Sequence, residues 1–219
     1  MAGVAAGKAE VRRLVVGPLD VNCYIVWDGV SGPAFIIDPG AEPEKITTAV
    51  RKIGLTVKYI VNTHGHFDHV GANAEVKQAF GSPVAMHPLD EAALAASHEQ
   101  SAFFGVVSRP QPPPDIALKD GMRLDAGGIS LVVLHTPGHT EGGVSLYCKE
   151  HGLVFTGDTL FRGSVGRTDF EGGSFEKLME SIKTKLLPLG GRVRVLPGHG
   201  PETTIEEEKN TNPFVSEIV

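Results

Sequence analysis

A chain of 219 residues with 41% hydrophobic and 21% charged side chains has the composition of one globular domain that buries a sizeable core. Its formal net charge of −6, without a run of Lys or Arg long enough to form a basic stripe, disfavours nucleic acid and suits a cation-loaded protein. No apolar run approaches the roughly 18 residues that span a bilayer, and MAGVAAGKAE lacks the apolar centre of a secretion signal, so a cytoplasmic location without membrane contact is expected.

Residues 1–10 are small and flexible, and a disordered segment is expected there ahead of a single domain over 11–219. VRRLVV (11–16), NCYIVWD (22–28) and PAFIID (33–38) are β-rich runs separated by turn signals. Residues 42–53 place Ile46, Ala49, Val50 and Ile53 at helical spacing with acidic residues in the first turn. VKYIVNT (57–63) reads as a nearly continuous apolar strand, and residues 70–80 as the helix that follows. PVAMH (83–87) is a short strand before a helix around PLDEAALAASHE. Three successive prolines in SRPQPPPD (108–115) exclude a helix or central strand, so an ordered surface loop is expected. MRLDA, ISLVVLHT, GGVSLYC and LVFTGDT are spaced like a hairpin meander, followed by a helix over 174–187 and the strand RVRVLP (192–197). Cys23 and Cys148 lie in apolar runs without a CxxC neighbour, as buried reduced thiols do.

The stretch THGHFDHVG crowds His64, His66, Asp68 and His69 into six positions where a strand ends. Alternate strand residues point the same way, so one segment can aim ligands at two neighbouring points. The pattern is echoed three times: HTPGHT carries His139, FTGDTL carries Asp158 and LPGHGP carries His199. Each time an apolar strand stops, a glycine bends the chain and a ligand-type residue projects. Five histidines and two aspartates exceed one tetrahedral site and fit two adjacent cations, an arrangement suited to hydrolysis. His87, His98 and His151 read as packing or solvated residues, and His135, four before His139, as a strand-end or supporting residue.

In its HxHxDH signature, later His, Asp of GD and final His, in that order, the chain resembles the metallo-β-lactamase superfamily over nearly its whole length. The resemblance implies an α/β (α+β) fold, a four-layer αββα sandwich with metals in the cleft between the sheet edges. It assigns His64, His66 and His139 to one metal, Asp68, His69 and His199 to a second, and Asp158 to the bridge between them. Two divalent ions are implied, zinc first, with iron or manganese as alternatives accepted by the same donors. A metal-bridging hydroxide would be the nucleophile, with Asp68 orienting it as catalytic residue.

GDTLFRGSVGRTDF and PGHGPETTIEEEKNTNPF are similar to the glyoxalase II-like branch, especially its short single-domain members. That implies hydrolysis of small thioesters such as hydroxyacylglutathione, by a monomer or homodimer. Arg167 and Asp169 stand where that branch carries a substrate-binding Lys and Tyr, and are candidate substrate residues here. The alternative rests on GRTDF (166–170), which resembles persulfide dioxygenases; their single iron would take His64, His139 and Asp158.

Overall fold

The computed structural model describes residues 8–29, 32–106, 108–216 and 218. The N-terminal sheet runs through β1 (Glu10–Val16), β2 (Val21–Trp27), β3 (Pro33–Ile37), β4 (Thr56–Val61), β5 (Val84–Met86) and β6 (Ile116–Ala117), spatial order following chain order. β1 to β3 pair antiparallel through short turns, while β3 to β6 pair in parallel. Parallel neighbours need crossovers. These are α1 (Pro43–Ile53), then α2 (Phe67–Val70) with α3 (Asn73–Phe80), then α4 (Glu91–Phe103). α1 has Pro43 and Glu44 in its first turn, Arg51 and Lys52 in its last, and Gly54 as a left-handed cap whose N–H returns to Val50 and Arg51.

The second sheet starts with β7 (Arg123–Ala126), β8 (Ile129–His135), β9 (Val144–Cys148) and β10 (Leu153–Gly157), the expected meander. The hairpin β11 (Leu160–Phe161) with β12 (Ser164–Val165) and the helix α5 (Phe175–Ser181) carry the chain over to β13 (Arg194–Pro197), parallel to β10. β14 (Thr203–Thr204) closes that edge before α6 (Ile205–Thr211).

Strand alternation decides the layering. Tyr24 and Val26 of β2 and Phe35 and Ile37 of β3 face Leu131, Val133, Leu146 and Phe155 of the other sheet. Their neighbours Cys23, Ile25, Ala34 and Ile36 pack outward against Ile46, Val50 and Val76 of α1 and α3. Val154 and Val195 face Leu178 and Ile182 on the opposite outer layer. The result is helix, sheet, sheet, helix. Phe35 is fully buried between the sheets and stacks on Tyr59 at 5.6 Å; its truncation to Ala would cost about 3–5 kcal/mol.

Several expected boundaries shift for physical reasons. The helix expected over 70–80 is two helices, because the Ala72 N–H turns away to the Pro39 carbonyl at 2.9 Å. The helix expected over 174–187 ends at Ser181 and continues as a π-type turn over Ile182–Leu186. Two-residue strands such as β6, β11, β12 and β14 are too short for any periodic signal. Most of the expected N-terminal segment, residues 1–7, lies outside the described residues; Glu10 already pairs with Trp27. Cys23 and Cys148 are buried and free, and burial pushes the Cys148 thiol up to about 11. The Pro-rich loop 108–115 is pinned: Gln111 accepts from Ala74 N and donates to the Gly71 carbonyl, and Asp115 accepts from Val84 N. Among the described residues, no helix is long and apolar enough to cross a membrane.

Candidate metal centre

β4 ends at Val61, so His64 and His66 lie in the turn after the strand rather than on its alternating positions. His66 is the N-cap of α2, which sets Asp68 and His69 in that helix's single turn. His139 comes from the loop after β8, Asp158 directly follows β10 and His199 follows β13. All seven meet at one end of the two sheets. Their ligand atoms fall into three overlapping groups, His64–His66–His139, His64–His69–Asp158 and Asp68–His69–His199, each with atoms within 4.8 Å of one another. Asp158 joins the outer two. Its Oδ1 lies 3.3 Å from His69 Nε2, and its Oδ2 3.6 Å from both His139 Nε2 and His199 Nε2.

Hydrogen bonds behind the rings decide which nitrogen faces inward. His139 Nδ1 lies 2.6 Å from the Arg167 carbonyl, His199 Nδ1 2.9 Å from the Leu19 carbonyl and His69 Nδ1 3.0 Å from Asp38 Oδ2. Carbonyl and carboxylate oxygens only accept, so each Nδ1 carries the proton and each Nε2 is left for a cation. Thr63 Oγ1 donates to Asp38 Oδ2 at 2.7 Å and therefore accepts from His64 Nδ1 at 3.2 Å. His64 Nε2 then faces the site, buried and without a hydrogen-bond partner; Asp158 Oδ1 is also buried and unpartnered by a hydrogen bond. An orphaned acceptor such as His64 Nε2 costs about 1–3 kcal/mol, a penalty that a bound cation removes, whereas Asp158 Oδ1 has the His69 ring as an ion-pair partner at 3.3 Å. His66 is the exception in orientation, presenting Nδ1 at 2.9 Å from His139 Nε2. Five imidazoles and two carboxylates fit divalent zinc, iron or manganese.

The electrostatics agree. Burial, reinforced by the neighbouring histidines, lowers His64 well below the usual imidazole range and His66 to about 4, so both are neutral with free lone pairs. Burial opposes ionisation of Asp68 and Asp158, but His69 and His199, joined by His139 at Asp158, together outweigh it and hold both carboxyls low. Burial also disfavours the His69 cation, yet Asp158, Asp68 and Asp38 together raise this imidazole well above its ordinary value. His199 is raised in the same way by its hydrogen bond to Asp68, against its own burial. Both raised imidazoles stand in the half of the centre that a second cation would fill.

Three supporting residues are given no role in the sequence reading. Asp38 ends β3 in a left-handed conformation (φ 51°) and accepts from Thr63 N, Thr63 Oγ1 and His69. Its signal was available, because FIIDPG repeats the pattern of apolar strand, acid and glycine. Asp90, 1% exposed, accepts from Gly65 N (2.9 Å), Thr140 Oγ1 (2.8 Å) and Gly142 N (2.6 Å), and so ties the His64–His66 turn to the His139 loop. A side chain at Gly142 would put its Cβ 2.6 Å from Asp90 Oδ1, which explains glycine there. Phe170 packs edge-on to His66 and His139, with centroids 5.1 and 5.7 Å away. Asp90 has no local sequence signal, and Phe170 enters the sequence reading only as the last residue of GRTDF.

Arg167 and Asp169 pair with each other, Nε–Oδ1 at 3.0 Å and Nη2–Oδ2 at 2.8 Å, while the Arg167 carbonyl orients His139. His135 stacks on His87 at 4.4 Å and bonds the Glu141 carbonyl, which steadies the His139 loop from outside. His98 is exposed. His151 is half-buried rather than solvated, with Nδ1 3.4 Å from the Ala9 N–H.

Two facing half-sites of histidine and carboxylate at the edge of an αββα sandwich define a metal-dependent enzyme class. The chain belongs to the metallo-beta-lactamase superfamily, whose family model matches residues 16–199. It is 40% identical over 209 residues to the hydroxyacylglutathione hydrolase GloC of Haemophilus influenzae, covering 94% of this chain and 98% of that protein. The crystal structure of TTHA1623 in a di-iron-bound form superposes with a TM-score of 0.87 at 43% identity, covering 93% of this chain and all of that one. ETHE1 from Myxococcus xanthus superposes at 0.79 with 28% identity, covering 95% of this chain and 85% of that one.

Proposed function

We propose that this protein is a dinuclear metal hydrolase of small thioesters, of the hydroxyacylglutathione hydrolase type. The observation that carries this reading is a complete second half-site. Asp68, His69 and His199 stand beside His64, His66 and His139, and Asp158 offers an oxygen to each side. A single iron held by His64, His139 and Asp158 would leave Asp68 and His199 without an evident task. The named activity of GloC supports a glutathione-derived thioester as the first substrate to assay.

Divalent cations here, zinc or, as in the di-iron relative, iron, would supply Lewis acidity, lowering the pKa of water and stabilising an oxyanion. The chain's own residues do the rest. Asp68 Oδ2, kept ionised and 3.2 Å from His199 Nε2, is the acceptor that orients the attacking water. The Arg167 carbonyl and Asp38 keep the His139 and His69 rings in register. In the net reaction water oxygen bonds to the thioester carbonyl carbon, the C–S bond breaks, and a carboxylic acid and a thiol result. A thiol of pKa about 8.5 leaves as thiolate without a dedicated general acid.

Metal analysis combined with assay tests the reading. Two metals per chain with thioester hydrolysis, lost in Asp68→Ala while the first metal stays bound, is the expected result. One iron per chain, with oxygen uptake on glutathione persulfide, would overturn it in favour of the dioxygenase supported by GRTDF and the ETHE1 likeness.

A further inference from the structure

Large apolar side chains that remain exposed among the described residues are few, and one of them, Phe170, packs against two candidate ligands, while Phe104 and Leu19 belong to segments that touch ligand-bearing ones. Phe170, 41% exposed, lies edge-on to His66 and His139. Phe104, 58% exposed at the end of α4, stacks at 4.9 Å on Phe67, which sits between His66 and Asp68 in α2. Leu19, 38% exposed in the β1–β2 turn, is the residue whose carbonyl takes the His199 proton. Apolar surface concentrated at the mouth of a polar site is what a ligand's own apolar portion covers.

The charge at that mouth points the same way. Arg167 lies over the Phe170 ring at 4.7 Å, and its Nε/Nη2 edge is held by the two oxygens of Asp169. A bidentate pair of this kind sums to no net charge, which weakens the pull of Arg167 on a substrate carboxylate. A glutathione arm brings two carboxylates to a cation that already has its own.

We propose that this cleft takes thioesters with apolar, uncharged arms, which lie on Phe170, and that Asp169 sets the charge preference by neutralising Arg167. The proposal rests on the thioesterase reading and narrows it: glutathione thioesters rank below neutral ones of the same acyl group.

The test uses metal-loaded protein and two series of straight-chain acyl thioesters, one of N-acetylcysteamine and one of glutathione. In the neutral series kcat/KM is expected to rise about two- to fourfold for each methylene covered. The glutathione series is expected to be about five- to tenfold poorer at equal acyl length, in KM rather than kcat. Asp169→Asn should lower KM for the glutathione series relative to the neutral series; Phe170→Ala should flatten the dependence on chain length. Calorimetry with metal-free protein and the non-hydrolysable S-octyl thioethers of the two thiols should give the same ranking without turnover. A flat chain-length profile, or glutathione compounds preferred and indifferent to Asp169→Asn, overturns the inference alone. Neither series hydrolysed by protein carrying two metals overturns the thioesterase reading and this narrowing with it.

Discussion

Asp38 Oδ2 accepts the Nδ1 proton of His69 across 3.0 Å, with both groups almost wholly buried. The same carboxylate accepts the Thr63 amide and hydroxyl, and Thr63 in turn orients His64. One acid therefore sets a ring in each half of the centre.

Asp38→Ala is expected to weaken metal binding by about 10- to 100-fold, as loss of a ring-orienting partner does elsewhere. It also leaves buried donors unpaired, so the metal-free protein should lose roughly 1–3 kcal/mol. Chelator competition and thermal unfolding measure the two effects separately. Wild-type affinity in this variant would remove Asp38 from the centre.

Asp90 performs the complementary task by joining two loops. All three of its contacts are donors, so Asp90→Asn turns one accepting oxygen into a donor facing donors. The expected loss is about 1–3 kcal/mol of stability, together with a weakened first site. A cobalt(II) titration would show it as a selective change in the spectrum of the His64–His66–His139 half. Gly142→Ala should act on the same contact, and the double variant should be less damaging than the sum of the two.

Metal uptake should depend on pH with a definite sign. His69 and His199 are raised above the ordinary imidazole value by the neighbouring carboxylates, so each binds a proton more readily than a free imidazole, and a second cation must displace it. Affinity for that cation should rise as pH rises from about 6.5 through the raised values, then level off once both imidazoles are neutral. His66, lowered to about 4, contributes no proton in this window. Calorimetry at about pH 7 in buffers of different ionisation enthalpy should register net proton release; equal heats in all buffers would contradict it.

Gly198 should tolerate no side chain. A Cβ there would lie 2.3 Å from Asp158 Oδ1 and 2.7 Å from His69 Cε1, displacing the shared carboxylate from its place between the half-sites. Gly198→Ala is expected to keep the fold, shown by circular dichroism, and to bind at most one metal per chain. Two bound metals in this variant would mean that Asp158 need not bridge.

Some of this was legible residue by residue. Period-two and period-3.6 apolar patterns placed the longer strands and helices, because burial on one face leaves its trace in neighbouring positions. The candidate ligands were legible as well, since imidazoles and carboxylates at glycine-bent strand ends have few other reasons to recur at His64, His139, Asp158 and His199. Short elements such as β11 and β14 left no trace, having too few residues for a period. His64 and His66 were rightly grouped, but through a turn after Val61 rather than strand alternation.

What the sequence determined by itself was the set of candidate donors and a mixture of strands and helices, because both are properties of local pattern; the four-layer sandwich was implied only by the family resemblance of its motifs. The tertiary structure alone decided how those donors are used. Which nitrogen each ring presents depends on acceptors such as the Leu19 and Arg167 carbonyls, which in the case of Leu19 lie 180 residues away in the chain. The joining of two candidate ligand loops by Asp90, and the packing of Phe170 against His66 and His139, are likewise matters of distance in space. Hydrogen bonds and apolar contacts act over a few ångströms, and only the folded chain makes those distances short.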